Sequence, residues 1–253
     1  MGRIQLLDDL RHPATDRRWL WVLSAADSTV LRPAEFMDAV LLRLGADLMA
    51  RPAPCAQCGE QLDPQCRHAL RCTPGPATCG HNRIRDTLLG LASLGDGASA
   101  SEARGLIASA PTLRPADVLT CAAFGRLAAL DVGIANPAAW TAGDDACVSM
   151  VQKKMHDYGA YLDELAEDGI AYKPVVWTCW GRPHVDAVGA VRSMAQAAAR
   201  RHGALRPRDL ERRAGAAIGV QIWKRAARMV DACRPCLCAD EASLVLPAAV
   251  AEA

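Results

Sequence analysis

The sequence predicts an α/β protein in which a small mixed sheet is flanked by helices, with a helical segment and a small cysteine-rich module in front. Short apolar runs bounded by turn residues occur at 115–124, 127–135 and 172–180, and their length is typical of strands. Longer segments with helical periodicity lie before, between and after these runs, as expected when helices pack on a sheet. The segment 51–80 is rich in cysteine, proline and glycine and has no clear period, so it needs a staple to fold.

Residues 1–50 are predicted to be helical. Phe36, Val40, Leu41 and Leu44 recur at helical spacing after a proline turn, and this spacing predicts one apolar helix face. We interpret the segment as the helical remnant of an upstream region that packs elsewhere.

Helical patterns account for most of the remaining chain. Asp144 and Asp145 are interpreted as a helix N-terminus, where the helix dipole favours negative charge, and Gly203 as a helix C-cap. A stretch rich in glycine, alanine and serine at 95–112 is predicted to be a loop. The helices are predicted at 81–94, 144–168, 185–203 and 207–231.

Composition and charge restrict the function. The net charge of +1 gives no global basic surface, so a nucleic-acid interface has to be local. The N-terminus lacks the apolar core of a secretory signal, and no apolar stretch reaches the roughly 20 residues needed to cross a bilayer. We therefore expect a soluble intracellular protein with no membrane partner. In such a reducing compartment the eleven cysteines favour metal ligands or buried thiols over disulfides.

Cys55, Cys58, His68 and Cys72 form the pattern C-x2-C-x9-H-x3-C. Two closely spaced pairs separated by a short loop supply the thiolate and imidazole ligands that tetrahedral zinc requires. Metal binding then provides folding free energy for a segment that has little core of its own. The spacing therefore predicts a structural Zn²⁺ ion in a zinc knuckle at 51–80.

Other cysteines leave the ligand set open. Cys66, Cys79 and His81 are competing candidates for the second pair of ligands. A further cluster near the C-terminus lacks a fourth ligand, and we interpret its members as free thiols. These are Cys233, Cys236 and Cys238.

Two aspartates stand on neighbouring predicted strands. Asp117 opens the first strand and Asp131 lies in the second, fourteen residues later. Carboxylates on adjacent strands near a common edge can hold one Mg²⁺ and leave positions for phosphate and water, as phosphodiester hydrolysis requires. Nucleases of the PD-(D/E)xK class usually carry a lysine two residues after the second acid, but that position is Gly133. Lys154 on the following helix, with Tyr158 one turn later, is predicted to supply the amine instead.

The order of motifs along the chain resembles that of a known family. HALRCTPG, HNRIRD, RPADV, ALDV, QKKMHDYG and GIAYKPVVWTCWGRPH follow one another within 36–230. This order is similar to the C-terminal region of non-LTR retrotransposon polyproteins, especially copies abundant in dinoflagellate-type genomes. In those proteins a CCHC zinc knuckle precedes a restriction-like endonuclease of the PD-(D/E)xK type, so the resemblance implies a restriction-endonuclease-like core.

The resemblance assigns roles to individual residues. It implies that Asp117 and Asp131 hold a catalytic Mg²⁺. Lys154 corresponds to a lysine displaced to the helix, and Tyr158 to the tyrosine that follows it. The implied zinc ligands are Cys55, Cys58, His68 and Cys72.

Nucleic-acid contacts are expected from two helices. His81 and Arg85 match the helix that leads into the nuclease, where they contact DNA or order the site. A second group of arginines forms either a basic face for the DNA backbone or an ordinary solvated helix face. Its members are Arg192, Arg200, Arg201, Arg206 and Arg208.

In the family the enzyme nicks chromosomal DNA, and an upstream reverse transcriptase extends the new end. The resemblance therefore implies a nuclear endonuclease whose partners are target DNA, the element RNA and that polymerase. The Asp144-Asp145 pair lacks the preceding aromatic residue of polymerases, so we expect no polymerase in this chain. The alternative is a nucleic-acid-binding module whose nuclease site has decayed. The expected regions are 1–50 (helical remnant), 51–80 (knuckle), 81–205 (nuclease core) and 206–253 (C-terminal helix and tail).

Several single residues have a structural interpretation that we prefer to a functional one. Lys173 is expected to be a strand-edge surface charge and His184 a turn residue. Because aromatic residues are few, the tryptophans are expected in the core rather than stacked on bases. These are Trp177, Trp180 and Trp223.

Overall fold

A computed structural model describes residues 2–21, 30–72, 74–139 and 142–235. The chain folds as a mixed α/β protein. Its helices are α1 (Gly2–Arg11), α2 (Pro33–Leu44), α3 (Ala69–Cys72), α4 (Pro74–Gly95), α5 (Ala146–Asp157), α6 (Leu162–Glu167), α7 (Val185–His202) and α8 (Pro207–Cys233). Its strands are β1 (Ala53–Pro54), β2 (Gln61–Leu62), β3 (Ala100–Ala103), β4 (Ala116–Thr120), β5 (Ala128–Ala135) and β6 (Ala171–Thr178).

The main sheet is small and mixed, which confirms that part of the predicted fold class. Its strand order is β3-β4-β5-β6, with antiparallel pairs up to β5 and a parallel pair between β5 and β6. The three predicted strands are β4, β5 and β6. The prediction of a loop over 95–112 was wrong in part, because β3 lies inside it. This edge strand is mostly exposed and pairs through its backbone, so it has no alternation of apolar residues to reveal it.

A crossover connects the two parallel strands, as a parallel pair requires. The prediction of one continuous helix over 144–168 was wrong. Helix α5 ends at Asp157, and a 3₁₀ turn at Gly159–Tyr161 separates it from α6. Gly159 interrupts the helical pattern at this point, since glycine is among the weakest helix formers.

The faces of β5 are covered by different helices. Leu130 and Val132 pack with residues of α4 and α7, such as Leu88 and Met194, in the largest apolar cluster. Side chains that alternate with them point the other way, toward α5. A strand covered on both faces is almost entirely buried, and seven of its eight residues are.

Helix α8 joins the N-terminal segment to the rest of the protein. Trp223 is fully buried, stacks on Trp19 with ring centroids 5.1 Å apart, and lies 6.0 Å from the Trp180 ring. With Trp177 also buried, the prediction that the tryptophans belong to the core is confirmed. None of the helices in the described ranges is both long and apolar enough to span a membrane.

The apolar face predicted for α2 is wrong. Phe36 and Leu44 are exposed, and the buried positions include Glu35 and Asp38. Their partners come from α8 and its C-cap. Arg228 donates to Glu35 at 2.8 Å, and Arg234 donates to Asp38 at 2.7 Å. Burial opposes ionisation, but hydrogen bonds from arginine outweigh it and lower the pKa of Glu35. A helix that buries ion pairs cannot be oriented from apolar periodicity.

Replacing Trp223 with alanine should destabilise the protein strongly. The variant leaves a cavity between Trp19 and Trp180, and such substitutions cost about 3–5 kcal/mol. Urea unfolding followed by far-UV circular dichroism measures the change. Arg212→Ala on the same helix, where the side chain is 62% exposed, is the control and should change the free energy of unfolding by less than about 0.5 kcal/mol. Equal losses in both variants would contradict the proposed core.

Candidate zinc site and candidate active site

Four predicted ligands converge in the knuckle. The ligand atoms of Cys55, Cys58, His68 and Cys72 all lie within 4.8 Å of one another. Cys55 Sγ is 3.6 Å from Cys72 Sγ, and Cys58 Sγ is 3.1 Å from His68 Nε2. Such a set of three thiols and one imidazole is a donor set that tetrahedral zinc prefers. The cluster can therefore hold a metal ion such as zinc.

Local backbone geometry brings each pair of ligands together. The first pair lies in the turn between β1 and β2, where Gly59 donates its N–H to the Cys55 carbonyl at 2.8 Å with a φ of +76°. A residue with a side chain rarely adopts this conformation, so the turn favours glycine. The second pair is four residues apart around α3, so His68 and Cys72 face the same side.

The imidazole of His68 is held by a carboxylate. Glu60 Oε2 lies 3.2 Å from His68 Nδ1, which leaves Nε2 directed at Cys58 Sγ. A carboxylate on the far ring nitrogen is the usual way in which proteins fix the tautomer of a metal-ligating histidine. Burial opposes ionisation of the Cys55 thiol, but the amides of Gln57 and Cys58 outweigh it and lower its pKa to about 6. A thiol that ionises easily is a ready zinc ligand.

The competing ligands lie elsewhere. Cys66 is fully buried in the core beside the knuckle, and burial raises its pKa to about 11. Cys79 is exposed, and neither it nor His81 is part of the cluster. Cys233, at the end of α8, is the exception: it is buried, its carbonyl accepts from Ala56 at 2.9 Å, and its side chain hydrogen-bonds to the Cys55 thiol of the cluster. The other C-terminal thiols, Cys236 and Cys238, lie outside the described residues.

The two predicted catalytic aspartates lie on adjacent strands of the main sheet. Strands β4 and β5 are antiparallel with Val118 opposite Leu130, and one further step of this register places Asp117 opposite Asp131. Side chains at opposed positions lie on the same face with Cβ atoms about 5 Å apart. Asp117 Oδ2 also accepts the N–H of Val132 at 2.7 Å, which ties the first carboxylate to the second strand.

Asp131 is held from two sides. Lys154 Nζ donates to its Oδ1 at 2.5 Å, and the hydroxyl of Tyr172 donates to its Oδ2 at 2.5 Å. Only 9% of this residue is exposed. Burial therefore raises the pKa of Asp131, despite the opposing effects of Lys154 and the hydrogen bonds.

Asp117 has the opposite balance. Burial favours its neutral form, but His81 Nε2 lies 3.2 Å from Oδ1, and with the Val132 amide and Lys154 it lowers the pKa of Asp117. The two opposed carboxylates thus have pKa values shifted in opposite directions. Strongly perturbed pKa values in neighbouring acids are typical of functional sites.

Gly133 explains how a helix lysine reaches the strand. A Cβ atom at Gly133 would lie 3.0 Å from Lys154 Cε, 3.1 Å from Val176 Cγ2 and 3.3 Å from Met150 Cγ. The lysine side chain thus crosses the strand at the position where the usual motif carries its own lysine. Glycine leaves the space through which Lys154 reaches Asp131.

Other predicted site residues have different surroundings. The Tyr158 hydroxyl donates to the carbonyl of Arg114 at 3.0 Å, and its ring lies 5.0 Å from the Tyr172 ring. Burial and the nearby carboxylates raise the pKa of Tyr158. Arg85 is paired with Asp86 and Glu102 rather than free for phosphate.

The basic end of α7 is separate from the aspartates. Arg200 and Arg201 are exposed, and Arg201 donates to the carbonyl of Ser93 at 3.4 Å. Ser93 lies twelve residues beyond His81 on α4, a distance of about 18 Å along a helix. These arginines therefore do not contact the aspartate pair directly.

The residues for which we preferred a structural role have surroundings that fit that role. Lys173 lies half-buried on the edge strand β6, with Nζ 5.8 Å from the centre of the Phe124 ring. His184 and Asp145 are N-caps of α7 and α5, and each side chain accepts a backbone N–H. Gly203 is the C-cap of α7.

Tyr172 is the site residue that sequence reasoning missed. It reaches Asp131 only because β6 pairs with β5 in a register that sets Asp131 opposite Pro174. That register depends on the packing of the whole sheet. The only signal in the sequence is a tyrosine near the start of an apolar strand.

In comparisons with family models, curated proteins and solved structures, nothing matches this chain. The restriction-endonuclease-like identity of the core therefore stays a prediction.

Loss of one knuckle ligand should remove zinc and destabilise the protein. We expect Cys58→Ser to lose the bound zinc and to lower the melting temperature by at least about 5 °C, because zinc binding contributes folding free energy. Metal analysis and thermal denaturation measure both effects. The control is Cys79→Ser, an exposed cysteine outside the cluster, which should keep one zinc per chain. Retention of zinc by Cys58→Ser would show that the ligand set is wrong.

Proposed function

We propose that this chain is a metal-dependent endonuclease that nicks DNA, the nuclease part of a non-LTR retrotransposon protein. One observation carries the proposal: Asp117 Oδ2 accepts the N–H of Val132, the residue after Asp131, and Lys154 Nζ lies 2.5 Å from Asp131 Oδ1. Two neighbouring carboxylates can hold a metal ion, and a nearby amine can stabilise charge on a phosphate, so this set suits metal-assisted phosphodiester hydrolysis. The order of motifs along the chain supports the same assignment.

The donor chemistry of this site fits Mg²⁺. Its carboxylate oxygens are the hard ligands that this ion prefers, and Asp117 and Asp131 would hold it. A bound divalent ion polarises a phosphoryl oxygen and lowers the pKa of water. The protein's own contribution is to keep two carboxylates close together and to supply a fixed positive charge at Lys154. That charge stabilises the negative charge that develops on the phosphate.

Target DNA is the proposed substrate, and the knuckle and exposed arginines are the proposed means of holding it. Arg200 and Arg201 lie about 18 Å along α4 from His81. DNA is a continuous polyanion with one charge per about 1.7 Å of its axis. A duplex with one phosphate at the aspartates therefore has other phosphates about 18 Å away, near these arginines. The element RNA and an upstream reverse transcriptase are the further partners proposed, and the nucleus is the proposed location.

Purified protein should nick supercoiled plasmid in the presence of Mg²⁺. Asp117→Asn and Asp131→Asn should each lower the nicking rate by at least about 100-fold, since each removes charge that holds the metal or stabilises the transition state. The matched control is Asp144→Asn, an exposed acid ahead of α5, which should nick as fast as the unchanged protein. Equal nicking by all variants would exclude this site. Salt-sensitive binding without any nicking would favour a nucleic-acid-binding module instead.

The position of the lysine can be tested by moving it. Lys154→Ala should lower nicking by about 100-fold. Adding Gly133→Lys restores the spacing of the usual motif. The Lys154→Ala change removes Cε, the nearest atom that a Cβ at position 133 would meet, while Val176 and Met150 have to move by a few tenths of an ångström. We expect the double variant to recover at least tenfold of the lost rate, measured in the same plasmid assay. A folded double variant with no recovery would show that Lys154 does not act as the motif lysine.

A further inference from the structure

An imidazole lies at the edge of the aspartate pair. His81, near the start of α4, directs Nε2 at Asp117 Oδ1 from 3.2 Å, and 30% of its side chain is exposed. The other oxygen of Asp117 accepts the N–H of Val132. The oxygen that faces His81 is therefore the one left for a ligand.

The distance between these two atoms suits a shared metal ion. Two neighbouring ligands of an octahedral ion, each at about 2.1 Å, are separated by about 3.0 Å. The observed separation of 3.2 Å differs from this value by a few tenths of an ångström. A divalent ion can therefore bind Nε2 and Oδ1 together without separating the two atoms, once the imidazole ring turns and the ion replaces their hydrogen bond.

We propose that His81 is a ligand of the active-site metal and that it makes the site prefer Mn²⁺ over Mg²⁺. This inference rests on the proposed function, since it concerns the metal at Asp117. Imidazole is a borderline ligand that suits transition metals, whereas Mg²⁺ takes carboxylate, carbonyl and water oxygens. A nitrogen ligand therefore shifts the selectivity of the site toward Mn²⁺.

The backbone of α4 near His81 is held by its neighbours. The zinc ligand Cys72 ends α3, and α4 begins two residues later at Pro74. Gly80 lies against the side chain of Arg225 on α8, where a Cβ atom would approach to 2.4 Å. Arg225 also donates to the carbonyl of Ala77 at 3.4 Å. The knuckle and α8 thus set the position of the imidazole.

Electron paramagnetic resonance tests this ligand without any cutting assay. The full chain is loaded with zinc and then titrated with Mn²⁺ in the absence of DNA. Pulsed spectra should show coupling of Mn²⁺ to ¹⁴N in the unchanged protein and no such coupling in His81→Gln or His81→Asn. Both variants should bind Mn²⁺ at least about tenfold more weakly, while their affinity for Mg²⁺ changes less.

Controls separate this inference from the proposed function. His156→Gln, an exposed histidine two residues after Lys154 on α5, should keep both the coupling and the affinity. Persistence of the ¹⁴N coupling, or unchanged Mn²⁺ affinity, in a folded His81 variant overturns the inference. If the unchanged protein nicks DNA in a way that depends on Asp117 but its Mn²⁺ spectrum shows no coupling to ¹⁴N, the proposed function holds and the inference about His81 is wrong. If the spectrum shows ¹⁴N coupling but the protein does not nick DNA, His81 is a metal ligand and the proposed nuclease function is wrong.

Discussion

The burial of the Asp131 carboxylate is the constraint on which the arrangement of the site depends. Strand β5 is covered on both faces, so this acid is removed from water and needs partners with strong donors. Lys154 and Tyr172 are those partners, and they come from α5 and β6, which both follow β5 in the chain. The approach of Lys154 requires an open strand surface beside the acid, which Gly133 provides. Losing either donor would leave a buried carboxylate poorly compensated.

The Cys/His cluster of the knuckle segment 51–80 and the main sheet are connected through two helices. Helix α8 packs against α4, and its C-terminal end accepts the N–H of Ala56 in the knuckle turn. Cys55 and Cys66 also share an apolar cluster with Trp19 and Trp223, and Cys72 packs against it. A segment with little core of its own is thus anchored at both ends, by ligands for a metal and by contacts with α8. This arrangement explains why a stretch without periodic sequence has one defined position.

Local signals in the sequence identified much of this fold. Apolar runs marked β4, β5 and β6, and the spacing of cysteine and histidine marked the four residues that converge. Local signals failed where pairing with distant residues decides the structure. Strand β3 is exposed and is held by its backbone, and α2 buries Glu35 and Asp38 because Arg228 and Arg234 meet them. Neither case leaves an apolar pattern in the segment itself.

Dependence on distant residues also limited how much of the candidate site could be predicted from the sequence. Asp117 and Asp131 were predicted from their places in two short strands close in sequence, together with the order of motifs that resembles a known family. Tyr172 was missed because its contact with Asp131 depends on a parallel register formed across two intervening helices.

A lysine on a helix makes the site depend on how that helix is held. Asp145 caps the start of α5 by accepting the N–H groups of Cys147 and Val148. Arg182 donates to Asp145 at 2.9 Å and to Asp9 of α1 at 2.5 Å, so one guanidinium ties the first helix of the chain to α5. The charge at Lys154 is therefore positioned by contacts that begin far from the aspartates. Had the lysine stood at position 133, the strand alone would have fixed it, and this connection to the N-terminal helix would have no bearing on the site.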